Sequence, residues 1–300
     1  MIINGKQIAS EILEELKKRP KPEKFFAGVL IGDDPASESF QKLKQKTAAE
    51  LGIDYRIYRL SPELGNDGLR KEVGRISAQK TCGGVIVQLP LPEQINKHYI
   101  LNVIPREKDV DVLGERALGA FYAGRNPVLP PAVGTVDTVC RVSGIKYQDT
   151  KIAVVGLGFL IGKPIATWLM GKAKEIMLLD KFSDLSVIKN ADVVILGTGQ
   201  AGLIKPEMLK DGVGVIDFGY TVAQAPPRTN ADETPHQNKF GAGQAQINAD
   251  KKIIISGDFD TQLPATSYQL LNFYTPTPGG TGPILVAKLF ENFYELNEGK

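Results

Sequence analysis

Histidine and cysteine are scarce in this chain of 300 residues, with two of each. His98 and His236 leave little for an imidazole relay, and no metal centre is expected. Cys82 and Cys140 make no disulfide framework; they fit a reducing compartment and read as small buried apolar residues. Net charge is almost missing, at +2 from 36 basic and 34 acidic residues. No broad positive field therefore marks a nucleic-acid binder. No apolar run reaches about 18 residues, so no membrane-spanning helix is expected. The opening residues MIINGKQIAS lack a basic segment followed by an apolar one, so no signal peptide is expected, and the expected location is cytoplasmic. What the chain does have is core material: 42% of it is hydrophobic, enough for sizeable interiors, and the length suggests two domains.

The most informative stretch lies mid-chain. Residues 151–155 (KIAVV) read as a buried parallel strand that runs into Gly156, Leu157, Gly158, Gly162, Lys163 and Pro164. Glycines there let backbone approach a pyrophosphate, and the following helix offers N–H groups and a positive dipole end. The third glycine comes one residue later than in G-x-G-x-x-G. A second strand, 175–180, ends in Asp180, where a ribose partner is expected. A third, 191–196, leads into Gly197, Thr198 and Gly199, and a fourth spans 214–218. Strands alternating with helices predict a Rossmann-like doubly wound parallel sheet. A βαβ unit with an ordinary tight turn and no nucleotide is the competing reading.

The first half reads as a second α/β unit. Ile8, Ile12, Leu13 and Leu16 stripe a helix over 7–18. A strand at 25–31 leads to a turn with Ser37 as N-cap, then a helix over 38–51 that stops at Gly52. Strands at 53–60 and 84–87 flank a helix at 69–78. Ligands of open parallel sheets collect at the carboxyl ends of strands, which brings residues 37–44 and Gln88 to one edge. Residues 127–131 approach a domain connection, and a helix starting near Gly134 bridges onward. Residues 221–250 read as a polar surface excursion, and 284–294 as the last helix. The expected fold is two α/β domains flanking a cleft: residues 1–132, onto which 275–300 packs back, and a nucleotide domain over 133–274.

Several residues carry chemistry. Lys44 shares a helix face with Phe40, and a lysine works as a base only where burial or a nearby cation lowers its pKa; the bland alternative is a surface lysine beside Lys42 and Lys46. Gln88 precedes two prolines that stiffen its backbone, or is simply a strand-end residue. Asp109 and Asp111 project from one side of an extended segment, where a carboxylate could take two donors from a 2-amino-pyrimidine edge; alone they read as a solvated charge cluster. The stretch 275–283 (TPTPGGTGP) is denser in proline and glycine than a linker needs, and suits backbone lying flat on a planar ligand.

Taken together these pieces resemble the bifunctional methylenetetrahydrofolate dehydrogenase/methenyltetrahydrofolate cyclohydrolase family over nearly the whole chain. The family's Y-x-x-x-K is Phe40 to Lys44, its VQLPLP is intact at 87–92, and its K-D-V-D-G is Lys108 to Val112. Its glycine motif resembles Gly156 to Pro164, its G-D-V-D resembles Gly257 to Asp260, and its T-P-V-P-G-G-V-G-P-M-T resembles 275–285. The resemblance implies tetrahydrofolate substrates and a place in one-carbon supply, including purine biosynthesis. Hydride would leave 5,10-methylenetetrahydrofolate for a nicotinamide, and water would convert the methenyl product to 10-formyltetrahydrofolate. It further implies Lys44, Gln88 and Asp111 as catalytic residues, and Phe40, Pro278, Gly279, Gly280 and Leu285 as folate neighbours. Gly156, Leu157, Gly158, Gly162, Lys163, Pro164, Asp180, Gly197, Thr198 and Gly199 would hold the cofactor, and two copies would form a homodimer through the nucleotide domain.

The chain departs from the family at four places. Phe40 replaces tyrosine and keeps ring stacking without the hydroxyl. Leu157 and Gly158 replace an Arg-Ser pair, which removes a charge-assisted anchor for a 2′-phosphate. Asp180 would favour a free 2′-hydroxyl, so NAD stands beside the family default, NADP. Val112 replaces a glycine, and valine does not easily adopt positive φ. Leu285 replaces threonine. A protein that keeps the fold and binds folate or nucleotide, with cyclohydrolase activity weakened or lost, is the alternative reading.

Overall fold

A computed structural model describes residues 1–224, 247–248, 251–260 and 270–299. The chain divides into two compact units. The first comprises Gln7–Thr135 and Ile284–Lys300; the second comprises Met1–Lys6 and Val136–Pro283.

The first unit contains most of α1 (Gly5–Lys17), then β1 (Phe25–Ile31), α2 (Pro35–Glu50), β2 (Tyr55–Leu60), α3 (Gly65–Ala78), β3 (Cys82–Val87), α4 (Lys97–Leu101) and α5 (Glu115–Tyr122). The three strands form a parallel sheet with β1 in the centre, pairing Phe26 with Tyr55 and Val29 with Val87. Every residue of β1 and β3 is buried, as expected of strands covered on both faces. Helix α2 starts earlier than the sequence suggests. Its N-cap is Asp34, not Ser37: the Asp34 carboxylate accepts from the Ser37 backbone N–H at 2.8 Å. Pro35 supplies a preset φ at the first helical position, so Ser37 already lies inside the helix.

The next elements are α6 (Pro131–Val142), β4 (Lys151–Val155), α7 (Gly162–Leu169), β5 (Glu175–Leu179), β6 (Val193–Leu196) and β7 (Gly214–Asp217). Then come β8 (Thr221–Gln224), β9 (Ile247–Asn248), β10 (Lys251–Ser256), β11 (Phe273–Tyr274) and α8 (Thr281–Asn297). In the second unit a parallel sheet runs β11-β7-β6-β4-β5. The chain leaves β4 for β5 on one side and crosses to β6 on the other, which makes the carboxyl ends of β4 and β6 the switch point where ligands gather. Met1–Lys6 joins this unit because Ile3 donates to the Tyr274 carbonyl at 2.9 Å and Tyr274 donates back to Met1 at 3.0 Å. Most of the polar stretch 221–250 lies outside the described residues, together with His236. Its first strand is not a loose excursion, however: β8 pairs antiparallel with β10, Thr221 opposite Ser256.

The end of α8 completes the first unit's core. Phe293 stacks on Phe26 at 4.5 Å, and Phe290 meets it edge-on at 5.5 Å. Each such ring contributes about 2–3 kcal/mol by burial. Asn292 donates to the carbonyls of Val110 at 2.9 Å and Leu129 at 2.8 Å. This pins a turn in which Val112 has φ 57°, the conformation its β-branched side chain disfavours. The turn holds because the Asp109 carboxylate accepts from the N–H groups of Leu113 and Gly114, while Val112 itself is fully buried. The backbone cost, about 1–3 kcal/mol, is offset by these contacts. Among the described residues no helix is long and apolar enough to cross a membrane.

Candidate active site

Helix α2 turns an unusual stripe inward: Ser37, Gln41, Lys44, Thr47 and Ala48 are its buried residues. Four of these five are polar, so the face serves more than packing. Lys44 is 5% exposed, and its ammonium donates to Gln88 Oε1 at 2.6 Å. Gln88 follows β3; its backbone N–H donates to Val29 at 2.9 Å and its amide donates to the Leu89 carbonyl at 2.8 Å. The stiff segment that follows includes a cis Leu89–Pro90 peptide. Both ends of the Gln88 amide are thereby set, and Lys44 is held by an acceptor that cannot swing away.

Burial pushes Lys44 down to about 8, against a partial upward pull from the Asp111 carboxylate. Burial pushes Asp111 up to about 6, with Lys44 opposing and Asp109 adding to the rise. A lysine at about 8 is roughly one-tenth neutral at pH 7, which is the condition for a general base near neutrality. The structure thus brings Lys44, Gln88 and Asp111 into one neighbourhood. Phe40 stands one turn before Lys44, half-buried. Leu285 is half-buried against the first unit's core. Two further residues join the group that sequence reasoning passed over. Tyr55, at the head of β2, donates its hydroxyl to Gln41 Oε1 at 2.5 Å, and its phenol is raised by burial and then by Asp111. Gln41 had a signal: it lies four residues after Ser37 and three before Lys44, on the same helical face.

In the second unit the glycine turn packs backbone on backbone. Gly156 has φ 88°, and a β-carbon on it would lie 2.7 Å from the Gly197 carbonyl oxygen. A β-carbon on Gly162, the first residue of α7, would lie 1.9 Å from the Gly156 oxygen. On Gly158 it would meet only the Gly197 oxygen, at 4.0 Å, so room remains outside the turn. The Lys163 N–H bonds back to Gly158 at 3.0 Å, Pro164 has no N–H to give, and Leu157 is half-buried. Thr198 and Gly199 do not offer free N–H groups. Both donate to the Asp258 carboxylate, at 2.6 and 3.2 Å, so they are shaped by the protein rather than directed at a ligand. Asp180 follows β5, is exposed, and accepts from the Lys181 N–H at 2.9 Å. The Lys181 ammonium sits 4.6 Å from the Phe182 ring centroid.

Beneath this edge Asp217 accepts from the N–H groups of Gly219, Asp258 and Phe259, and burial pushes it up to about 7. Pro278 follows a cis peptide and Gly279 has φ 104°. Gly280 packs so closely that a β-carbon on Gly5 would lie 1.7 Å from its oxygen. Gly5 and Gly280 serve close backbone packing inside the second unit, whereas Gly279 serves a turn of positive φ.

A family model described as tetrahydrofolate dehydrogenase/cyclohydrolase, catalytic domain, matches residues 3–111. A second, the NAD(P)-binding domain of the same enzymes, matches residues 130–300. The bifunctional protein FolD of Geobacillus thermodenitrificans is 32% identical, covering 98% of this chain and 96% of that protein. Among solved structures, the Trypanosoma brucei methylenetetrahydrofolate dehydrogenase-cyclohydrolase, complexed with NADP cofactor and inhibitor, matches with TM-score 0.84 at 26% identity. It covers 99% of this chain and 97% of its own. The bifunctional enzyme FolD of Campylobacter jejuni matches with TM-score 0.83 at 27% identity, over 99% of this chain and 98% of its own.

Proposed function

The chain belongs to the tetrahydrofolate dehydrogenase/cyclohydrolase family, and from that membership we infer that it oxidises 5,10-methylenetetrahydrofolate with NADP and then hydrolyses the methenyl product to 10-formyltetrahydrofolate. The observation that carries the mechanism is the buried lysine, held near 8 and bonded to Gln88. NADP, when bound, supplies the hydride acceptor. Oxidation leaves a methenyl cation, and a positive charge beside Lys44 favours the neutral amine further. Neutral Lys44 takes one proton from the attacking water as its oxygen bonds to the methenyl carbon. Collapse of the adduct breaks the bond to N5 while the remaining hydroxyl proton passes to that nitrogen. The first proton then leaves Lys44 for solvent. Gln88 orients the amine. Asp111, ionised above about 6, accepts from the amino-pyrimidine edge of the pterin, and the Phe40 ring stacks without donating.

The second unit suits the cofactor. Gly156, Gly158 and Gly162 would hold the pyrophosphate, and a β-carbon on Gly158 would meet nothing nearer than 4.0 Å. Asp180 caps its own loop through the Lys181 N–H, and the neighbouring Lys181 ammonium would supply the cation for the 2′-phosphate, a role that Leu157 and Gly158 cannot fill. The β5 edge supports a homodimer: Leu178 is 43% exposed and Phe182 90% beside a strand unpaired on one side. Both described cysteines are free and buried, in keeping with the cytoplasm, where the formyl product serves purine synthesis.

The test is direct. Purified protein mixed with 5,10-methylenetetrahydrofolate and NADP gives a rise in reduced-nicotinamide absorbance, and methenyltetrahydrofolate loses its chromophore. Lys44→Met lowers hydrolysis by about 10³-fold. Undiminished hydrolysis in that variant removes Lys44 from the mechanism.

A further inference from the structure

Lys44 works as a base only while its surroundings do not reward the ammonium form. Gln88 accepts one hydrogen bond from it. A second amide stands close by. Gln41 is 1% exposed and precedes Lys44 by three residues on the same face of α2, a spacing that sets the two β-carbons about 5–6 Å apart. Its carbonyl oxygen would be a ready second acceptor for the amine. It bonds the Tyr55 hydroxyl instead, at 2.5 Å, which fixes the direction in which that oxygen points.

That clamp is built in. Tyr55 reaches Gln41 across β1 at Gly28, where a β-carbon would lie 2.2 Å from the phenol oxygen and 2.5 Å from Gln41 Oε1. The Tyr55 ring is locked edge-on against Phe26 at 5.3 Å. The arrangement is not the amide's best: among the described residues buried Gln41 Nε2 has no hydrogen-bond partner, and an idle buried donor is costly. Ring packing accounts for the tyrosine, but not for an amide placed opposite it with one donor idle.

We propose that Tyr55 is a positioning residue for hydrolysis: by holding the Gln41 carbonyl oxygen it withholds an acceptor from the Lys44 ammonium and keeps the amine available as a base. The inference rests on the functional reading above. The charged group acting on Lys44 is Asp111, which lies with Asp109 in the turn between α4 and α5 and also faces Tyr55 on β2. Asp111 already favours the ammonium. Freeing Gln41 would add a second such influence, since hydrogen bonding to a charged form stabilises it. Burial and the Asp111 charge keep the phenol protonated, so the clamp holds throughout the pH range in which Lys44 titrates.

Hydrolysis of methenyltetrahydrofolate is followed against pH for the full-length protein and the variants Tyr55→Phe, Gln41→Leu and their combination. Tyr55→Phe is expected to move the midpoint up by about one pH unit, slowing the reaction about tenfold at pH 7 and little near pH 10. Adding Gln41→Leu removes the freed oxygen and returns the midpoint to that of the unmutated protein. Gln41→Leu alone, which removes the oxygen from the start, leaves the midpoint where it is. An unmoved midpoint in Tyr55→Phe whose circular dichroism matches that of the unmutated protein, an upward shift in Gln41→Leu alone, or a shift that persists in the double variant, overturns the proposal. Unmutated protein that hydrolyses nothing overturns the functional reading beneath it.

Discussion

Around Lys44 the first unit buries an amine and a phenol beside a half-buried carboxylate, and each has its ionisation displaced. Around Gly156 the second unit works by subtraction, since three β-carbons that would collide with carbonyl oxygens or with Ile161 are missing at Gly156, Gly162 and Gly197. Among the described residues of that unit, buried Asp217 accepts from backbone N–H groups with both oxygens and Asp258 with one. The Lys44 neighbourhood therefore tunes proton affinity and the glycine turn tunes shape, although the second unit has a displaced carboxyl of its own in Asp217. Substitutions in the two should fail in different ways.

The strongest way to break that contrast is Gly162→Ala. Its new β-carbon would lie 1.9 Å from the Gly156 oxygen, so the turn must deform. Dehydrogenase kcat/KM for NADP should fall by about 10²-fold, since misplacing a bound reactant by an ångström costs on that order. Hydrolysis of added methenyltetrahydrofolate should stay within about twofold, because no ionisation in the first unit changes. Parallel loss of both activities would show that the units do not divide the labour.

A smaller effect sharpens the other side. Hydrolysis tracks neutral Lys44, so its rate should climb as pH rises through about 8. The Asp111 carboxylate raises Lys44, so Asp111→Asn should lower the midpoint, and the rate at pH 7 with saturating folate should rise relative to the plateau at high pH. The KM for folate should increase about 10- to 30-fold as the paired acceptor is lost. A midpoint that moves upward contradicts the assigned polarity. The smallest expected effect is at the cofactor's far end: Lys181→Ala should raise the KM for NADP about tenfold, worth roughly 1.4 kcal/mol, and leave that for NAD unchanged. Steady-state rates with both cofactors on one preparation settle it.

How much of this was legible without coordinates follows from range. Strand β1 coincides with its sequence reading, because seven consecutive buried apolar residues between turn signals have few other solutions. The glycine turn was legible for the same reason: strand, turn and helix are contiguous. Lys44, Gln88 and Asp111 were singled out individually, but only as motif pieces, since their meeting depends on three separate segments. The two-residue strand β11 was invisible, having no room for a period. The N-cap fell on Asp34 because a proline at the first helical position moves the start upstream of the serine. Val112 defied local preference because the Asp109 carboxylate and the Asn292 amide, a distant partner, hold its turn. Tyr55 and Gln41 were missed because their bond depends on the absence of a side chain at Gly28, and no local pattern reports an absence.

Gly28 also constrains the order in which this protein can change. A larger residue cannot enter at 28 while the tyrosine and glutamine remain, since its first carbon would overlap both oxygens. Trimming either partner first leaves a hole or a stranded amide in the interior. Substitutions at 28, 41 and 55 must therefore arrive together or along one narrow route. A mutational library that samples position 28 alone would score it as intolerant, while simultaneous replacement at 28, 41 and 55 would uncover viable solutions.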